Sequence, residues 1–152
     1  MQRTRNNTAE LTFSALMTAL AIILSYFPEI PLAFFAPWLK LDFSFTPLLL
    51  LGLSVGPLMM FVALLVTNIA HIIGGTTLGV GEVANIIVGL SFLLPPALLY
   101  KKNRTRKSAV IGMGIGILLM VFAGILANRF ILLPTFFPNG FEQALSGMGM
   151  TL

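Results

Sequence analysis

From His71 to Asn85 the chain reads His-Ile-Ile-Gly-Gly-Thr-Thr-Leu-Gly-Val-Gly-Glu-Val-Ala-Asn, with long apolar runs on both sides. Four glycines (Gly74, Gly75, Gly79, Gly81) let this backbone turn through positive φ and approach a ligand closely. Glu82 and Asn85 stand three apart, so a helix starting there carries both on one face. A carboxylate accepts hydrogen bonds, and an amide both donates and accepts. That chemistry suits holding a small polar molecule rather than breaking a bond. Within hydrocarbon, irregular backbone is tolerated only where protein buries it or where it lines a wet cavity. Two readings are open on these residues alone: part of a ligand site, or a tight polar turn between two spans.

Other chemistry is poorly provided for. There is one histidine and no cysteine, which excludes a multi-histidine or thiolate metal centre. The five acids, Glu10, Glu29, Asp42, Glu82 and Glu142, are scattered rather than clustered for metal-assisted hydrolysis. The glycines from Gly74 to Gly81 lack the lysine of a phosphate-binding loop. No cofactor is implied, and an enzyme is the weakest reading.

The composition says where these residues must work. Of 152 residues 57% are hydrophobic and 9% charged, whereas about a quarter of a soluble domain is charged. The mean hydropathy is +0.97. The expectation is one integral membrane domain over residues 1–152, an all-α bundle of about five or six spans. The net charge of +4 does not point to nucleic acid, because the basic residues sit beside apolar runs. Arg3 and Arg5 precede an apolar run without a small-residue cleavage site, so no cleavable signal peptide is read.

The elements follow from the apolar runs and their punctuation. Residues 11–28 form a first span that Pro28 ends. Ala15 and Ala19 stand four apart on it, beside Ser14 and Thr18, a pattern that lets another helix approach closely. Residues 29–43 are a connection in which Pro31 and Pro37 argue against a continuous helix. Phe34, Phe35 and Trp38 make it aromatic. It either lies at the membrane interface or folds over a cavity as a lid, its aromatics stacking on a ring or shielding it. Lys40 and Asp42 are its close opposite charges.

Residues 44–55 and 58–73 are apolar segments separated by the Gly56-Pro57 turn. The second carries Thr67, Asn68 and His71, with Asn68 and His71 on a shared face. An amide within a span is costly unless paired, so a helix–helix hydrogen bond is its simplest role; an interfacial position is the simplest for His71. Residues 82–100 are the fourth span, expected to kink at Pro95-Pro96. Five of the seven residues 101–107 are basic. Residues 108–127 are the fifth span, closed by Asn128 and Arg129, with Gly112 and Gly116 repeating the four-residue small spacing. Residues 130–137 are again apolar, and 138–152 show no evident span.

Seven of the nine basic residues lie in two groups, Arg3 with Arg5 and the run 101–107. Four spans between them put both on one side, and the positive-inside rule makes that side the cytoplasm. The loop 29–43, the turn 72–82 and the segment after Asn128 then share the outer side, where a binding site is expected.

Lys40-Leu-Asp-Phe-Ser44 with Pro47, the Gly56-Pro57 turn, Asn68, Gly74-Gly-Thr-Thr-Leu-Gly-Val-Gly-Glu-Val-Ala-Asn85 and Ala127-Asn128 occur here in one order. Together they resemble the substrate-binding S components of energy-coupling factor (ECF) vitamin transporters, from about residue 11 to residue 137, with the riboflavin-specific branch the nearest in pattern. Ala15-Leu-Met-Thr-Ala19 resembles that family's contact with its transmembrane coupling subunit. The resemblance implies six helices, the sixth without a counterpart in this chain. It also implies capture of a vitamin at the outer face of a bacterial cell membrane and delivery by toppling. A coupling subunit and two ATP-hydrolysing subunits are the implied partners. Lys40, Asp42, Asn68, Glu82, Asn85 and Asn128 would be substrate-binding, and 29–43 the lid. Phe45 and Thr67 depart from the family pattern, which commonly has an acid and a lysine there. These departures favour a relative handling a smaller ring, such as hydroxymethylpyrimidine or a pyridoxine-type vitamin. The competing reading is a small structural or exporter subunit with no vitamin site.

Overall fold

The computed structural model describes residues 7–26, 30–31, 40–41, 43–74 and 79–136. Helix α1 is Asn7–Tyr26, α2 Phe45–Ser54, α3 Pro57–Gly74, α4 Val80–Lys102 and α5 Arg106–Ala127. A π-helical turn, Asn128–Leu132, and a short α6, Leu133–Phe136, follow. The fold is all-α apart from two-residue strands β1 (Ile30–Pro31) and β2 (Lys40–Leu41), which pair antiparallel with Ile30 opposite Leu41.

Among the described residues three helical stretches are long and apolar enough to cross a membrane: Thr8–Tyr26, Val80–Lys102 and Arg106–Leu132. Large apolar side chains cover their outer faces, as on Leu16, Ile23, Leu118 and Phe122. The short apolar segment 44–55 is α2. Its ten residues reach only about 15 Å, half of a hydrocarbon core of roughly 30 Å. Two residues end it sharply. Gly56 has φ 136°, which a side chain rarely adopts. Pro57 then opens α3, where a missing N–H costs nothing.

The depth of α2 is set by two glycines. A Cβ on Gly89 of α4 would lie 2.9 Å from the Phe45 ring and 3.3 Å from Leu64. A Cβ on Gly52 would lie 2.9 Å from Met60 Sδ and 3.2 Å from the Ala97 Cβ. So α2 begins level with Gly89 and runs toward Ala97 and the basic end. The core of Ala21, Leu48, Leu51, Met60, Leu64, Leu93 and Ala97 fills that half of the bundle.

Helices α4 and α5 are antiparallel neighbours. A Cβ on Gly112 would lie 2.4 Å from Pro96 Cα, and one on Gly116 would lie 2.4 Å from the Phe92 carbonyl oxygen. Pro96 has no N–H to give that carbonyl, and the bare Gly116 backbone packs against it. Helix α4 runs through both Pro95 and Pro96.

Candidate functional site

The end of the bundle away from the basic run collects the polar side chains. Gly79 starts α4 in the left-handed region, φ 88°, which only glycine adopts without strain. The chain thereby turns from α3 into α4 and sets Glu82 and Asn85 against the last turns of α3. Glu82 is buried, 3% exposed, and its Oε1 lies 3.0 Å from His71 Nδ1. A buried carboxylate is costly unless paired, and the imidazole is one of the groups that meets it. His71 in turn faces the Tyr26 ring, centroids 5.1 Å apart. Tyr26 donates its hydroxyl to the Ala70 carbonyl at 2.7 Å. Thus α1, α3 and α4 are laced together at one level.

One turn deeper, Asn85 Nδ2 donates to Asn68 Oδ1 at 3.0 Å. Asn68 is 1% exposed and gives its own amide to the Leu64 carbonyl at 2.8 Å. Asn68 therefore has the helix-joining role that an intramembrane amide needs. Thr67 is likewise internally satisfied, donating to the Ala63 carbonyl. Asn85 is only part-buried and makes this one side-chain hydrogen bond among the described residues. Its own carbonyl oxygen and second N–H are not used in that bond.

Below the two asparagines lies an aromatic floor. Leu64 and Gly89 are each one helical turn deeper than Asn68 and Asn85, and Phe45 sits on that pair. Phe45 also tilts against Phe92, centroids 6.3 Å apart. Because α2 starts here, it does not extend into the half of the bundle beside Asn85.

Asn128 approaches from α5. The contacts of Gly112 with Pro96 and of Gly116 with Phe92 fix the register of α5 on α4. Because α4 and α5 run antiparallel with the same rise per residue, that register carries Asn128 to about the level of the start of α4. The π turn that begins at Asn128 packs against α4. Such turns occur often at functional sites. Asn128 Oδ1 is buried and has no hydrogen-bond partner among the described residues, a state that costs about 1–3 kcal/mol.

The structure thus brings Asn68, Glu82 and Asn85 together and places Asn128 at their level on the next helix. Lys40 lies in β2, where it pairs with Pro31. Its side chain, Asp42, and the aromatics Phe34, Phe35 and Trp38 lie outside the described residues. Ala15 and Ala19 are both exposed on α1. Tyr26, the pairing of His71 with Glu82, and the Phe45 floor were not singled out from sequence as site features. The spacing of His71 and Glu82 across a glycine-rich turn was the available signal.

The sequence profile of the family described as ECF transporter, substrate-specific component, matches residues 9–152. A riboflavin transporter of Staphylococcus aureus, RibU, is 33% identical over 80% of this chain and 64% of its own length. A riboflavin transporter of Bacillus subtilis, FmnP, is 31% identical over 84% of this chain and 68% of its own. The matched region therefore spans just under two thirds of the first of these relatives. A solved structure of the S component of a bacterial ECF transporter superposes with a TM-score of 0.79 at 31% identity, covering 94% of this chain and 83% of that one. This chain belongs to the family of ECF transporter substrate-specific components.

Proposed function

We propose that the protein captures a B-type vitamin at the polar end of the bundle and delivers it inward as the binding subunit of an ECF importer. The observation that carries this reading is the buried Asn128 Oδ1, without a hydrogen-bond partner among the described residues, in a turn that packs against α4. A heteroaromatic vitamin offers N–H and hydroxyl donors for that oxygen and acceptors for the Asn85 amide. Phe45 supplies a flat apolar surface for a ring. Relatives named as riboflavin transporters support a vitamin of that class, riboflavin itself or a smaller ring such as hydroxymethylpyrimidine or pyridoxine. Residues 29–43 act as the lid over the ligand, with Phe34, Phe35 and Trp38 shielding it and Lys40 and Asp42 among the substrate-binding residues.

Delivery requires partners. The exposed Ala15 and Ala19 on α1 offer the close approach that a transmembrane coupling subunit needs. Two ATP-hydrolysing subunits drive the cycle, and the S component topples within the membrane to release its vitamin. The N-terminus and the run 101–107 face the cytoplasm.

The experiment is purification from a producing bacterium with its native partners. A vitamin retained through purification, together with co-purifying ATP-hydrolysing subunits, is the expected result. Recovery of neither, under conditions that preserve folded protein, favours a structural or exporter subunit.

A further inference from the structure

At the opposite end of the bundle a cleft of about 470 Å³ opens between the end of α2, the end of α4 and the start of α5. That volume is in the range of small-molecule sites. Its polar wall is Ser54, Tyr100, Arg104 and Arg106; Leu53 and Val110 are on its apolar wall. All seven residues of the run 101–107 are exposed, but only its two arginines line the cleft. Lys101 and Lys102 close the last turn of α4, where cations complement the helix dipole. The arginines have no such duty. Arg104 precedes the helix and Arg106 is its first residue, on either side of the cap Thr105, whose Oγ1 accepts from Ser108 N at 3.2 Å.

We propose that this cleft holds the headgroup of one anionic phospholipid, with the two guanidinium groups on its phosphate. Guanidinium matches phosphate oxygens in a two-pronged geometry that an ammonium cannot reproduce. Tyr100 is suited to the headgroup level of a membrane, with an apolar ring and a polar tip. Basic pockets between membrane helices on one face of a protein are known to take acidic headgroups. The apolar side of the cleft continues onto lipid-facing surface. Val110 is 62% exposed, and further along α5 so are Ile117 and Val121, at 53% and 58%. Gly114 lies between them with open space beyond it, leaving a shallow slot for an acyl chain. A free phosphate compound shares the headgroup chemistry but has no use for this slot. The site is independent of the vitamin pocket.

The test uses the purified full chain in a neutral detergent. Dioleoylphosphatidylglycerol, dioleoylphosphatidylcholine and soluble glycerol 3-phosphate are each titrated, reading lipid retention by native mass spectrometry and the thermal midpoint. The expected result is saturation at one phosphatidylglycerol per protein with a raised midpoint, and no comparable effect of the other two. Arg104→Gln with Arg106→Gln should weaken phosphatidylglycerol binding at least about tenfold more than Lys101→Gln with Lys102→Gln does. Either single arginine variant serves if the pair does not fold. Equal losses in the two pairs would mean diffuse attraction and overturn the site. Equal binding of phosphatidylcholine, or equal stabilisation by glycerol 3-phosphate, would overturn an anionic lipid as its occupant.

Discussion

Asn85 Nδ2 and Asn68 Oδ1 meet at 3.0 Å and join α4 to α3 in the half of the bundle away from the basic run. Asn68 uses both its oxygen and its amide in helix packing, whereas Asn85 uses one N–H and leaves its oxygen and second N–H out of that bond. That asymmetry separates the two residues functionally. Asn68→Ala should lower the thermal midpoint, because it removes a buried joint and leaves Asn85 unpaired. Asn85→Ala strands the buried Asn68 oxygen and should also lower the midpoint, but it should in addition weaken vitamin binding by about 1–3 kcal/mol, or roughly 5- to 150-fold. Thermal unfolding and ligand titration on both variants check this. Equal effects on binding with none on stability would contradict it.

His71 and Glu82 form a second joint, 3.0 Å across, with Glu82 nearly inaccessible. His71→Ala removes one partner of a buried carboxylate and should cost about 1–3 kcal/mol of stability. Adding Glu82→Gln to that variant should cost less than the sum of the two single losses, since the two side chains contact each other directly. Thermal midpoints of the two single variants and the double variant complete the cycle.

Small residues at the same four-residue spacing do opposite things here. Gly112 and Gly116 are buried against the α4 backbone, whereas Ala15 and Ala19 are exposed. Gly116→Ala would drive a methyl to 2.4 Å from the Phe92 carbonyl oxygen and should destabilise by about 1–3 kcal/mol, as overpacking does. Gly114→Ala meets nothing within 4 Å and should be neutral or stabilising by up to about 1 kcal/mol, through helix propensity. Comparing the two midpoints tests the packing of α5 on α4.

Ala15→Trp with Ala19→Trp should abolish assembly with the coupling subunit while leaving vitamin binding intact, since the face they occupy is unused within the chain. Co-purification is the measurement. Intact assembly would remove α1 from the partner interface.

Much of this fold is legible in the sequence. Helix limits lie within a few residues of the apolar runs, because Gly56-Pro57, Gly79 and the basic run 101–107 punctuate them physically. The half-length of α2 is less legible. Phe45 stops at Gly89, forty-four residues away, and only tertiary contact reveals that depth. The same limit applies to the site. Asn68, Glu82 and Asn85 stand out as polar groups in an apolar setting. Their pairing depends on the path of the chain at Gly79, which glycine permits but does not dictate. Nor does Ala127-Asn128 announce a π turn, whose wider hydrogen-bond pattern leaves no periodic signature. For the paired small residues, spacing shows that something approaches closely but not whether it is this chain or another.

The most direct measurement is calorimetric titration of the purified chain, in its original form and as Asn128→Ala, with riboflavin, pyridoxine and hydroxymethylpyrimidine. The expected result is saturable one-to-one binding of one of these vitamins, weakened at least about tenfold by Asn128→Ala with folding unchanged. Absence of saturable binding by any of the three, or unchanged affinity in the variant, would contradict a vitamin site built around Asn128.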